Sequence, residues 1–237
     1  MRTTTVKSAF FAGMIASSPF ILVVVPFAAL FGLLATQAGL SVVQTLTFSV
    51  TVIAGAPQLT ALQLMQEDVP TALVLVSALA VNLRVAMYGA ALTPWIGSAP
   101  LWQRALAAYF LTDQAYVVGI LAFERAPEMT VPQRMAYYFG VAAAVAPLWY
   151  LFTLIGALAT DGMPEGWALD FALPITFLAM IAPMLRTLPH VVAALVAIAV
   201  SLPAAALPWS LGLIVAGVAG MIAGAETERR IARRRAR

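Results

Sequence analysis

The sequence predicts an all-α integral membrane protein of about eight transmembrane helices, and three observations carry that reading. Of its 237 residues, 62% are hydrophobic and 10% charged, with a mean hydropathy of +0.95. Soluble domains carry roughly 25% charged and 45–50% apolar residues. Apolar runs of bilayer length then follow one another with short connections, and ~20 residues at ~1.5 Å each cross the hydrocarbon core. At that spacing about seven or eight spans use up the chain, which leaves no soluble domain. The chain has no cysteine, so disulfides and thiolate metal sites are excluded. Its net charge of +3 is concentrated in one tail and points to no nucleic-acid partner.

The expected spans cover residues 10–35, 42–65, 71–95, 104–123, 135–160, 170–186, 190–206 and 208–225. The first begins like a signal peptide, with Arg2 and Lys7 before AFFAGMIA. Its apolar run continues to Ala35, far past a signal-peptide core, so it is expected to be a retained span. The last two are short and share a Pro203-to-Pro208 connection, which also fits a re-entrant hairpin. Residues 226–237 form a basic tail, so the chain divides into a membrane domain (1–225) and a cytoplasmic tail (226–237). With eight spans and the N-terminus inside, the cytoplasmic segments hold Arg2, Lys7, Arg125, Arg134, Arg186 and the tail arginines, and the outer loops hold Arg104. That asymmetry is the positive-inside pattern and places both termini in the cytoplasm.

Several spans are interrupted by proline or glycine: the first by Pro19, Pro26 and Gly32, the sixth by Pro174 and Pro183. Proline removes a backbone donor and kinks or breaks a helix. The second span carries Gly55-Ala56-Pro57-Gln58, with Pro57 in the position natural to a first helical turn. A half-helix starting there presents free N–H groups and a positive dipole end to an anion such as a carboxylate. The same span holds Thr47 and Thr51 on one face, which fits an interior path, or else interhelical hydrogen bonds of ~0.6 kcal/mol each.

Two ionisable residues fall near the middle of apolar runs, Arg84 in the third span and Asp113 in the fourth. A charge at that depth costs at least ~2.5–3.5 kcal/mol and needs a partner or a water-filled path. Each is the obvious partner of the other. Tyr88 shares the stripe of Arg84, and Tyr109 and Tyr116 share that of Asp113 by i, i+4, i+7 spacing. Asn82 points elsewhere and suits backbone freed by a neighbouring break. The eighth span repeats Gly212, Ala216, Gly220 and Gly224, a small-residue stripe that receives a helix of this chain or of a partner. No nucleophile–base pair, phosphate loop or metal spacing occurs, so no enzyme, metal or cofactor is expected.

These residues together resemble the AzlC family of bacterial branched-chain amino acid exporters. The resemblance rests on Gly55–Gln58, on Val81–Arg84 followed by Tyr88-Gly89, on Thr112–Asp113, and on Leu169–Phe171 before a proline-containing span. It implies a multi-pass secondary transporter of the bacterial inner membrane that exports branched-chain or other large neutral amino acids, with proton coupling as a further expectation. It also implies a small AzlD-like membrane subunit as companion. On this reading Gly55, Pro57, Gln58, Asn82, Arg84 and Tyr88 bind substrate, and Asp113 serves coupling. Pro57, Val85 and Gln114 depart from the family's pattern, which has small or polar residues there, and bear on substrate range and any proton path. The alternative is a non-transporting scaffold that stabilises a small partner subunit.

Overall fold

The computed structural model describes residues 5–159, 185, 187–205, 207 and 211–235, with the backbone alone for 211, 213 and 214. Its helices are α1 (Val6–Gln37), α2 (Val42–Thr51), α3 (Gly55–Gln66), α4 (Thr71–Ile96), α5 (Leu101–Tyr109), α6 (Asp113–Arg125), α7 (Val131–Leu158), α8 (Leu188–Ala204) and α9 (Leu211–Arg235). No strand occurs among the described residues. Among the described residues three helices, α1, α4 and α7, are long and apolar enough to cross a membrane. The expected sixth span, with Leu169–Phe171, Pro174, Pro183 and Arg186, lies outside the described residues. The chain forms two compact units, Met1–Leu62 with Val81–Trp167 and Gln63–Ala80 with Ala168–Arg237.

In the first unit, α1 opens with a capping box in which the Thr5 and Ser8 side chains accept from each other's backbone N–H groups. It closes at Gly39, whose φ of 89° lets Leu40 N–H reach back to the Ala35 carbonyl at 3.1 Å. Pro19 and Pro26 do not interrupt it. Pro19 takes a donor away from the Ile15 carbonyl, and the Ser18 hydroxyl donates there instead at 2.8 Å. Leu22 is 81% exposed and Met87 of α4 70%, as residues facing lipid are.

Helices α1 and α7 run parallel with their backbones touching. A side chain at Gly13 would strike the Tyr137 carbonyl, at Gly140 the Phe10 carbonyl, at Gly32 the Thr153 carbonyl and at Gly156 the Ala29 carbonyl. Gly32 thus serves close approach and does not break its helix. Such small-residue crossings let van der Waals packing replace the hydrophobic drive that lipid lacks.

The expected second and fourth spans are each two short helices. The second breaks at residues 52–54, directly before Gly55, where the sequence predicts a half-helix start. The fourth, expected as one helix over 104–123, ends at Tyr109 and restarts at Asp113. Thr112 causes the restart: its backbone is extended (φ −111°, ψ 167°) and its hydroxyl accepts the Ala115 N–H at 3.2 Å.

Contacts along these helices fix their directions. Phe48 meets Phe31, and Gly55 lies against Phe27 and Trp149, so α2 leads from the end of α1 back along it. Arg84 meets Asp113, Tyr88 meets Tyr116 and Trp95 meets Phe123, so α4 from residue 81 onward runs parallel to α6. Through residues 126–130, α6 turns back into α7, which makes α4 antiparallel to both α7 and α1. The Arg134 guanidinium clamps this corner, donating to the Trp95 carbonyl (3.1 Å) and the Pro127 carbonyl (2.6 Å) over the Trp95 ring.

In the second unit α8 and α9 form an antiparallel pair. Gly212 lies against Ala204, Gly220 against Ala193 and Gly224 against Ala193 and Pro189. The small-residue stripe of the expected eighth span therefore receives a helix of the same chain. Helix α9 continues through the charged residues to Arg235, with Arg230 Nε on Glu226 at 2.8 Å.

Replacing Gly140 with valine forces α1 and α7 apart at a backbone carbonyl, an overpacking cost of about 1–3 kcal/mol. The melting temperature of the detergent-solubilised protein should fall by several degrees. Gly217→Val, at a position with nothing within 4 Å of an added Cβ, should leave it unchanged.

Candidate functional site

The first unit carries a polar cluster between α4 and α6. Arg84 Nη2 lies 3.1 Å from Asp113 Oδ2, and the Tyr88 hydroxyl donates to Asp113 Oδ1 at 2.9 Å. Each carboxylate oxygen therefore has its own donor. The Tyr88 ring stacks on Tyr116 with centroids 4.2 Å apart and planes 7° from parallel, which holds the hydroxyl in place. The Arg84 and Asp113 side chains are 24% and 27% exposed, so the pair is reachable. Arg84 Nε is buried and has no hydrogen-bond partner among the described residues, so the guanidinium keeps a donor in reserve.

The local fold explains where these groups stand. Asp113 is not in mid-helix, as the fourth span predicts, but is the first residue of α6, where a carboxylate complements the positive helix end. Thr112 completes that cap. The stripe of Tyr109, Asp113 and Tyr116 is thereby corrected, because the break at residues 110–112 rotates Tyr109 out of line. The Tyr109 hydroxyl donates to the Val50 carbonyl at 2.7 Å and lies 3.0 Å from the Tyr150 hydroxyl.

A second group surrounds the start of α3. Gly55 is pressed against the rings of Phe27 and Trp149, and a side chain there would collide with both. The first intrahelical bond runs from Gln58 N–H to the Ala54 carbonyl at 3.2 Å, which leaves the Gly55 and Ala56 N–H groups outside the ladder. Ala54 has no polar side-chain atom to cap them, and Pro57 has no N–H to add. Gln58 is fully buried, and neither its Oε1 nor its Nε2 has a hydrogen-bond partner among the described residues. An unmet buried amide costs roughly 1–3 kcal/mol per group.

Of the residues the sequence singles out, the structure gathers Arg84, Tyr88 and Asp113 into one cluster and sets Gly55, Pro57 and Gln58 in another. Asn82 joins neither. It sits two residues from Arg84, a spacing that does not share a helix face, and its Oδ1 is buried with no hydrogen-bond partner among the described residues. Thr47 and Thr51 make no bond to another helix that would mark them as interhelical glue among the described residues. Their hydroxyls donate back to the carbonyls of Val43 and Thr47, each at 2.8 Å, and both residues are exposed. The buried face of α2 is Thr45 and Ser49. Trp149 Nε1 donates to Ser49 Oγ at 2.8 Å, and Ser49 lies 3.1 Å from Thr153 Oγ1, which fastens α2 to α7.

Four residues that matter here carry weak signals in the sequence. Thr112 is a recognisable N-cap, but the surrounding run is apolar enough to hide it. Tyr138 and Tyr150 read as ordinary aromatic residues, and Tyr109 as a member of the Asp113 stripe, with nothing to show its bond to α2. A cleft of about 1050 Å³ also opens between α1, α6 and α7, lined by Ile15, Phe20, Leu121, Arg125 and Tyr137 among others. None of the residues of the two clusters lines it. Among the described residues no group of three histidine, aspartate or glutamate side chains comes together to hold a metal.

The Tyr138 hydroxyl donates to the Ala107 carbonyl, in the last turn of α5, at 2.7 Å. Tyr138→Phe leaves that carbonyl buried and unpaired, a loss of about 1–3 kcal/mol read as a lower melting temperature. Tyr137→Phe serves as the control.

A family model described as AzlC protein matches residues 19–163, a stretch that includes both clusters. The inner membrane protein YgaZ of Escherichia coli (strain K12) is 26% identical over 181 residues, covering 74% of this chain and 73% of YgaZ. No solved structure matches. With a family model matched over more than half of its length and an inner-membrane relative matched over most of it, the chain belongs to the AzlC family, as a helical protein of the bacterial inner membrane with a membrane-transport-related role.

Proposed function

We propose that the chain is the large subunit of a secondary transporter that exports branched-chain or other large neutral amino acids, in company with a small AzlD-like membrane subunit. The observation that carries this reading is the Arg84–Asp113 pair, one ion pair with a tyrosine on it, placed where a helix is broken. A zwitterionic amino acid carries the same two charges in complementary form. Its carboxylate competes with Asp113 for Arg84, or takes the uncapped Gly55 and Ala56 N–H groups with the Gln58 amide. Its ammonium then takes the Asp113 carboxylate. A coupling proton reaches Asp113 only when the pair with Arg84 opens, so exchange between the closed and open pair is the proposed coupling step.

The scaffold alternative drew its support from the small-residue stripe near the C-terminus. That stripe packs on α8 of the same chain, which favours the transporter reading. The orientation with both termini in the cytoplasm and the tail at residues 226–237 on the membrane surface belong to the same proposal.

The test is efflux of labelled leucine, isoleucine, valine and methionine from preloaded cells, with and without the companion subunit. Arg84→Lys should lose at least about tenfold of the rate, because a compact ammonium cannot replace the planar fork at a carboxylate. Asp113→Asn should leave a residual export that no longer responds to the proton gradient. An Asp113→Asn protein with full rate and full gradient dependence removes Asp113 from coupling. Retention of all four amino acids with and without the wild-type pair ends the export reading.

A further inference from the structure

We propose that α2–α3 and α5–α6 are half-membrane hairpins entering from opposite faces, and that their tips, bolted together by Tyr109, form the barrier a transported solute must pass. The hairpin half stands on geometry alone, and the barrier half rests on the transport reading above.

Length comes first. At ~1.5 Å per residue α2, α3, α5 and α6 extend about 15, 18, 14 and 20 Å, and none alone spans a core ~30 Å thick. Direction decides how they are joined. Helix α1 leaves one face and ends at the other, from which α2 leads back inward along Phe31 and Phe27. From residue 81 onward α4 runs antiparallel to α1, and a continuous helix of membrane-spanning length with that direction is entered from the face where α1 ended. The α2–α3 pair therefore returns to the face it came from. Helix α4 delivers the chain to the starting face, and α7, parallel to α1, must begin there too. The α5–α6 pair lies between these two fixed points and returns to that same face.

Charge agrees. This arrangement puts Lys7, Arg104, Arg125 and Arg134 on one face, while the connections at residues 38–41 and 67–70 hold Glu67 and Asp68 and no basic residue. A continuous fourth span isolates Arg104 on the far side. The hairpin returns it to the others, which sharpens the positive-inside pattern and makes their face cytoplasmic.

The tips meet at one residue. Tyr109, at the end of α5, spends its proton on the Val50 carbonyl in the last turn of α2, so the Tyr150 hydroxyl is the donor in the bond between the two tyrosines. The order is Tyr150 to Tyr109 to Val50. Helices α3 and α6 start just beyond these tips, so their positive ends approach the same depth from opposite sides. One hydroxyl thus closes the gap between the two breaks, and Tyr109 is still 40% exposed there.

The chain has no cysteine, so single substitutions report cleanly. In intact cells a membrane-impermeant maleimide should label Gln37→Cys and Glu67→Cys, and should reach Gln103→Cys and Glu128→Cys only after permeabilisation. Labelling of Gln103→Cys with protection of Glu128→Cys overturns the hairpin. In preloaded cells lacking an energised membrane, Tyr109→Phe should raise passive leucine leak severalfold. Tyr150→Phe, which leaves the Val50 cap in place, should raise it less. A Tyr109→Phe protein that is present in the membrane, exports, and leaks no more than wild type overturns the barrier and leaves the transport reading intact. If the wild-type protein moves none of the amino acids, the transport reading falls and takes the barrier with it, while the labelling pattern still decides the hairpins.

Discussion

Inside a bilayer no water is at hand to satisfy a backbone N–H or C=O, so any break in a helix must find its partners within the protein. This chain breaks two helices and supplies those partners with tyrosines. Tyr109 serves the Val50 carbonyl at the end of α2, and Tyr138 serves the Ala107 carbonyl at the end of α5. At the starts of the second halves the solutions diverge. Helix α6 is capped by Thr112 and carries Asp113 against its positive end, whereas α3 begins after Ala54 with no side-chain cap among the described residues. The asymmetry matters because a capped helix end is electrostatically quiet and an uncapped one is not. The start of α3 lies beside the buried Gln58, whose amide has no hydrogen-bond partner among the described residues.

The Arg84–Asp113 pair follows from the same constraint. Three groups meet on the Asp113 carboxylate: the Arg84 guanidinium, the Tyr88 hydroxyl and the positive end of α6. Removing one partner of a buried pair usually costs more than the pair contributes, because the survivor is left uncompensated. Here both side chains are about a quarter exposed, so the pair is only partly enclosed by the protein.

Much of this was legible in the residues. The class of protein follows from composition alone, and pairing of Arg84 with Asp113 follows from the expense of charge in hydrocarbon. The break before Gly55 is announced by Gly-Ala-Pro. The break at residues 110–112 was not legible to hydropathy, because Phe110 and Leu111 are as apolar as any helix interior and neither glycine nor proline marks the spot. Thr112 and Asp113 mark it as a cap, a signal of hydrogen bonding that a hydropathy window averages away. Pro19 misleads in the opposite sense, since Ser18 repairs what the proline removes. The tyrosine bonds join residues far apart in sequence, and no local pattern encodes them. Gly13, Gly32, Gly140 and Gly156 likewise gain meaning only once α1 and α7 are side by side.

That crossing has a mechanical consequence. Two helices whose main chains touch near both ends cannot tilt or slide against each other without a collision of carbonyls, so α1 and α7 form a keel. Helix α2 is riveted to it by Ser49, Trp149 and Thr153, and α5 by Tyr138. What lies beyond those rivets is the starts of α3 and α6 and the part of α4 around Arg84, and the same region holds the ion pair and the buried Gln58 amide.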